Sequence, residues 1–453
     1  LGSAQLDQNS IASSRELLNR FVSFYSNASY TYDDKYVLSG SIRWDRSNLW
    51  GTNSKYQNKP LWSVGGSWNI YKEKFFQADF VDMLKLRASY GIGGNIGRNT
   101  APYLIASYYD SSLVDGMAGS VNTPPNKDIR WEKTTTVNVG VDFALFRHRL
   151  SGTIEYYNKY SVDLLAAING SPTQGFGYTT LMTNNGKMVN RGVEITLSGE
   201  IIRQKDFSWN ASLLYAFNRN KVKHISVQPS LWDSRISMPT SYPMVGKPLY
   251  GIYAYKWAGL NENGDPQVYD AENNVTSGPA RDYHALVYCG TTVPIHNASL
   301  TNVLRYKGFE FSAMLILDAG HKLRSSNIPS INMSNGRITS TAKGIVDRWT
   351  QPGDVTDVPR LLFSNDTENF NTHRTELYRY SDLFVYDASN IRLSNISLAY
   401  RVPAHWCKKI SLSGARLQFN VENVATFAFD SKANYDLGGK VKPNYVWGLY
   451  LNF

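Results

Sequence analysis

Residues 181–201 open with a polar Asn184-Asn185-Gly186 loop and pass into strict alternation. Val193, Ile195, Leu197 and Ile201 fall on one side, and Glu194, Thr196, Ser198 and Glu200 on the other. Side chains on a strand alternate faces with a period of two, so this pattern predicts a strand with one apolar and one polar face. The pattern recurs along the chain. Phe24, Ala28, Tyr30 and Tyr32 lead through an Asp33-Asp34-Lys35 turn to Leu38, Ile42 and Trp44, a hairpin. Further apolar rows start at Trp62, Leu84, Val137, Leu150, Trp209, Ala298, Phe309, Ile391 and Ala415, and a last row runs Tyr445, Trp447, Leu449, Leu451, Phe453. Residues 391–402 slip phase once, which predicts a bulge. Residues 250–260 read as strand-like with mixed faces. No helical periodicity persists beyond a turn or two.

The connections sort by length. Tight turns at 33–35, 146–149, 203–206, 307–308 and 403–410 alternate with long loops at 45–59, 93–128, 162–186, 218–247 and 319–386. Short turns at one rim and long loops at the other mark an outer-membrane barrel. A soluble sandwich has no reason to sort its loops this way, and loops of this length are unusual in a compact domain. The expectation is an all-β fold, an antiparallel transmembrane β-barrel with about 14–15 strands in this chain. Spanning strands must close into a ring, because lipid offers no partner to backbone N–H and C=O groups.

Composition changes this picture little. The mean hydropathy of −0.36 does not by itself indicate a membrane protein, but barrel strands need only ~9–11 residues each and carry a weak signal. The 30 Tyr and 11 Trp suit residues that stand where one end is apolar and the other wet. The net charge of +10 comes from Lys and Arg scattered along the chain, whereas nucleic-acid binding needs them clustered, so no nucleic-acid partner is expected. No stretch of 18 apolar residues is present, and the first ten residues do not read as a signal peptide.

Ten segments, in order, carry a family resemblance. They include YDDKYVLSGSIRWDRSNLWG at 32–51, LWSVGGSWNIYKEKFF at 61–76, IRWEKTTTVNVGVDF at 129–143, NNGKMVNRGVEITLSG at 184–199, NIRLSNISLAYRVP at 390–403 and GLYLNF at 448–453. Together they resemble the C-terminal barrel portion of a SusC/RagA-type TonB-dependent outer-membrane transporter. The resemblance implies a 22-stranded barrel in the outer membrane of a Gram-negative bacterium. Residues 1–453 would form a single incomplete domain, with the plug, the TonB-contacting segment and about the first seven strands outside this chain. It implies uptake of oligosaccharides or peptides, a SusD-like lipoprotein lid, energy from the TonB complex, and outer-membrane lipid around the wall. The alternatives are a soluble all-β carbohydrate-binding or carbohydrate-active protein, which detergent dependence would separate, and a passive porin.

Candidate chemistry is sparse. Asp270, Glu272 and Asn274 have the spacing that opens a calcium loop, but the glycine and closing glutamate are missing, so a solvated loop is expected. Lys85, Arg87, Glu155, Glu194, Glu200, Arg392 and Glu422 fall at inward positions and are expected to form a salt-bridged barrel wall. Tyr103, Tyr108, Tyr109, Trp232 and Tyr242, in the loops, are candidates for stacking on sugar rings. No His, Ser or Asp arrangement indicates an enzyme, a metal or a cofactor. Cys289 and Cys407 are expected at opposite rims and therefore unpaired, since a disulfide needs Cα atoms within ~7 Å. Tyr445, Trp447, Leu449, Leu451 and Phe453 are expected to face lipid, with Gly448, Tyr450 and Asn452 inward.

Overall fold

The computed structural model describes residues 20–49, 51–57, 59–97, 102–111, 116–171, 173, 180–229, 234–278, 282–333, 341–363, 372–437 and 442–453. Its main feature is one 13-stranded sheet in which each strand lies beside its neighbour in the chain. The strands are β1 (Phe21–Tyr32), β2 (Tyr36–Ser47), β3 (Leu61–Asn69), β4 (Val81–Asn95), β5 (Glu132–Leu145), β6 (Leu150–Asn169) and β7 (Thr180–Arg203). They continue as β8 (Phe207–His224), β9 (His296–Tyr306), β10 (Phe309–Ala319), β11 (Asn390–Arg401), β12 (Gly414–Ala428) and β13 (Asn444–Asn452). All pairings in this sheet are antiparallel. The β11 bulge lies where the phase slips, between Leu393 and Asn395.

The short connections share one rim. Asp33 and Asp34, at φ 51° and 53°, take the left-handed conformation at both central positions of the β1–β2 turn. That geometry matches the right-handed twist of the flanking strands. Lys307, at φ 52°, does the same beside Gly308. The opposite rim carries the loops after β2, β4, β6, β8, β10 and β12.

Direct register partners share a face, and one row can be followed across twelve strands. It runs Tyr32, Tyr36, Trp68, Leu86, Val141, Ile154, Ile195, Tyr215, Ala298, Leu317, Ile391 and Phe427. Every member is apolar or aromatic. The row begins beside a tight turn, at the last residue of β1, and ends beside a long loop, near the last residue of β12. This steady stagger is the shear that closing a sheet into a barrel requires. Among the described residues no second layer covers the apolar face: Leu38 is 60% exposed, Val139 47%, Leu398 48% and Leu449 61%. A contiguous apolar surface of this extent marks contact with a membrane or a partner.

Two expectations are corrected. Residues 250–260 do not join the sheet, which among the described residues has thirteen strands and not the expected 14–15. Gly251–Tyr255 is buried on both faces and pairs with Leu286–Thr291 inside the loop after β8, so its mixed pattern reflects a small core of its own. Most of 162–186 is not loop either, because β6 and β7 pair out to Asn169 and Thr180. The 24 residues of β7, at ~3.3 Å each, span about 80 Å, far more than a hydrocarbon layer ~25 Å tall. The hairpin therefore projects past the apolar band at the long-loop rim.

Candidate functional site

The inward face carries paired charges. Arg87 on β4, Gly140 on β5 and Glu155 on β6 are successive register partners. The Arg87 guanidinium reaches Asp142 on β5, with Nε 2.7 Å from Oδ2 and Nη2 2.9 Å from Oδ1, and also contacts Glu155. Thr153 Oγ1 donates to the same Asp142 at 3.0 Å. Farther along the sheet, on the same face, Glu310 accepts from Arg305 Nε at 2.7 Å and Arg416 Nη2 at 3.0 Å. Of the other expected wall residues, Arg392 lies 3.8 Å from Asp318 and Glu200 pairs with Arg203 at 2.7 Å. Lys85, Glu194 and Glu422 make no ion pair among the described residues, although Glu155 and Glu194 are register partners. Paired charges on a wall fix side chains and present a polar lining.

The aromatic candidates do not form one platform. Tyr103, Tyr108 and Tyr109 are 64%, 72% and 53% exposed. The latter two belong to a hairpin, Ile105–Ser111 against Gly116–Thr123, in the loop after β4. Being adjacent on a strand, Tyr108 and Tyr109 point to opposite faces. Tyr242 is buried and its carbonyl accepts from Arg235 Nε at 3.4 Å, so it packs the loop and offers no ring to a ligand. Trp232 lies outside the described residues.

The loops after β8 and β10 fold together, which no local sequence signal indicated. Tyr253, Tyr255, Val268, Ala285, Leu286 and Leu377 form one buried cluster, and Ile331, Tyr378 and Phe384 another. Polar fastening joins residues about a hundred positions apart. Asp265 accepts from Arg360 Nη2 at 2.8 Å and Arg374 Nε at 3.0 Å. Arg374 Nη2 donates to the Arg360 carbonyl at 2.8 Å. Arg324 Nη2 donates to the Tyr253 carbonyl at 2.7 Å. Burial pushes both Arg324 and Arg374 below the ordinary guanidinium value, and Asp265 opposes this at Arg374. At the root of this assembly Lys322–Arg324 pairs with Val385–Asp387. Burial acts to raise the Asp387 carboxyl, but hydrogen bonds from Ser389 and Lys322 outweigh it and hold the group at about 2.

Asp270 is occupied by its own turn. Its Oδ1 accepts from the backbone of Glu272 at 3.0 Å and of Asn274 at 2.7 Å, closing the hairpin Pro266–Tyr269 to Val275–Thr276. Both cysteines are free. Cys407 is buried in the short helix Ala404–Lys408 at the short-turn rim, and Cys289 lies in the loop assembly, where burial pushes its thiol up to about 11.

Residues 3–424 match the family model described as TonB dependent receptor-like, beta-barrel. TonB-dependent receptor P3 of Formosa agariphila is 27% identical over 94% of this chain and 43% of its own length. TonB-dependent receptor SusC of Bacteroides thetaiotaomicron is 25% identical over 89% of this chain and 40% of its own. Among solved structures, the RagAB peptide transporter superposes with a TM-score of 0.77 at 24% identity, covering 96% of this chain and 48% of that one. The chain thus spans less than half the length of the relatives it matches.

Proposed function

This chain belongs to the TonB-dependent receptor-like β-barrel family, and from that premise we propose that residues 1–453 form the C-terminal barrel wall of an outer-membrane importer. Its cargo is an oligosaccharide or a peptide, its lid a SusD-like surface lipoprotein, and its energy source the TonB complex. The fold and relatives support the transporter class. The observation that carries the finer reading is the loop assembly: two loops after β8 and β10 build a buried core of their own at the long-loop rim. Ordered loops on a rigid scaffold are where recognition resides. A soluble sugar-binding sheet is disfavoured because the twelve-strand apolar row would stand in water.

The test uses the full-length protein in outer-membrane extracts. A surface lipoprotein is expected to co-purify with it. Replacing residues 321–386 with a short turn should abolish that co-purification yet leave a heat-resistant folded barrel. Retention of the lipoprotein by this variant would refute the loop assignment, and loss of the folded barrel would show that the loops serve the wall instead.

A further inference from the structure

Arg219 on β8 and Arg191 on β7 are direct register partners. Arg191 in turn faces Asn158 on β6, and its Nε donates to Asn158 Oδ1 at 3.0 Å. By parity Arg191 shares a face with Val193 and Ile195, and Arg219 with Phe217 and Tyr215. Both arginines therefore stand on the outward, apolar face, displaced toward the long-loop rim. Lys221, Lys187 and Lys133 hold the outward positions beyond them, and the outward positions of β5–β8 in this region carry no Asp or Glu. All five cations are exposed, and none makes an ion pair among the described residues. The inward Arg87, Arg305 and Arg416 are all paired.

Like charges directly opposite one another destabilise a sheet, so this patch is suited to an anion from outside the chain. A cavity of 420 Å³ adjoins it, lined by Arg219, Lys221 and Lys247 among others. Tyr156 and Phe217, one register step toward the apolar band, and the exposed Tyr160 beside the arginines supply an aromatic border. Aromatic belts mark the membrane interface, and Lys and Arg just beyond them reach lipid headgroups while their stems lie on apolar surface.

We propose that Arg191, Arg219 and Lys221 form a site for the phosphate of outer-leaflet lipid headgroups that carry net negative charge. The site rests on the reading of the apolar face as lipid-facing, which is checked first: a full-length protein that stays monodisperse without detergent would remove that reading itself. In neutral detergent, the full-length protein is then titrated with phosphatidylglycerol and with phosphatidylcholine. Phosphatidylglycerol should bind more tightly. The double variant Arg191→Ala/Arg219→Ala should lose about thirtyfold in its affinity, from ~1 kcal/mol per cation removed. Arg191→Lys/Arg219→Lys should retain most of it. Heat-modifiable migration reports whether each barrel is folded, and Lys221→Gln gives a milder variant with the same expected direction. Equal binding of the two lipids, or unchanged affinity in the folded double variant or in Lys221→Gln, would overturn the proposal. Displacement of the lipid by millimolar inorganic phosphate would overturn it in favour of a soluble anion.

Discussion

Gly140 lies between Arg87 and Glu155, and its missing side chain is what lets a guanidinium on β4 reach a carboxylate two strands away. A Cβ at this position would come within 3.2 Å of Glu155 Cγ and 3.3 Å of Arg87 Nη2. Gly140→Val should therefore separate the pair and lower barrel stability by about 1–3 kcal/mol, the usual cost of overpacking. Gly40→Ala, where the nearest atom would be 3.8 Å away, is the matched control and should leave the thermal midpoint of heat-modifiable migration unchanged. Asp387 has a folded value of about 2 against an ordinary 3.8. A depressed carboxylate contributes stability above its unfolded value and loses it as pH falls through the folded one. The pairing of Lys322–Arg324 with Val385–Asp387 should thus hold at pH 5 and open between about pH 4 and pH 2. Amide exchange of residues 322–324 across that range measures it, and Asp387→Asn should abolish the pH dependence.

The loops after β8 and β10 behave as one element because Asp265 sits between two guanidiniums. Arg374 is nearly buried, its side chain 4% exposed. Removing the carboxylate leaves an uncompensated charge inside, a loss of about 3–5 kcal/mol. Asp265→Ala should accordingly expose residues 251–291 and 322–387 to limited proteolysis, with the 13-stranded sheet still folded; intact loops in that variant would mean that the apolar clusters suffice. This fastening was not legible in the sequence, since Asp265, Arg360 and Arg374 follow no spacing rule and meet only through tertiary packing. The strands were legible, because each has to present one apolar face continuously, and a period of two survives any loop. Where a second core intervenes, as at Tyr253 and Tyr255, both faces are apolar and the period disappears. The extended β6–β7 hairpin escaped for a related reason. Its polar stretch at Asn184 is held by side chain to backbone bonds, with Asn184 Nδ2 donating to the carbonyls of Arg130 at 2.9 Å and Asp163 at 2.7 Å. Such a segment resembles a loop by composition. Among the aromatic candidates, composition identified exposed rings at Tyr103, Tyr108 and Tyr109 but could not distinguish them from the packed Tyr242.

Among the described residues, the sheet has two free edges. β1 and β13 occupy its ends and do not pair with each other. In a bilayer each unsatisfied backbone group costs several kcal/mol, and in water an open edge invites aggregation. A closed wall therefore needs strands beyond these thirteen, in keeping with relatives more than twice as long. β13 is ready for such a partner. Its Tyr445, Trp447, Leu449 and Leu451 pair with Val421, Phe419, Leu417 and Ala415 on the apolar face, and Trp447 lies 4.3 Å from Phe419, ring to ring. Gly448, Tyr450 and Asn452 pair with Gln418, Arg416 and Gly414 on the polar face. Phe453 follows, 91% exposed and continuing the apolar parity to the short-turn rim. An aromatic there suits an interfacial girdle. In the full-length protein Phe453→Ala should reduce the heat-modifiable barrel recovered from outer membranes, whereas Phe453→Tyr should restore it, because the hydroxyl keeps a ring at the interface. Equal barrel levels in the alanine variant would show that closure depends on the strand edge alone.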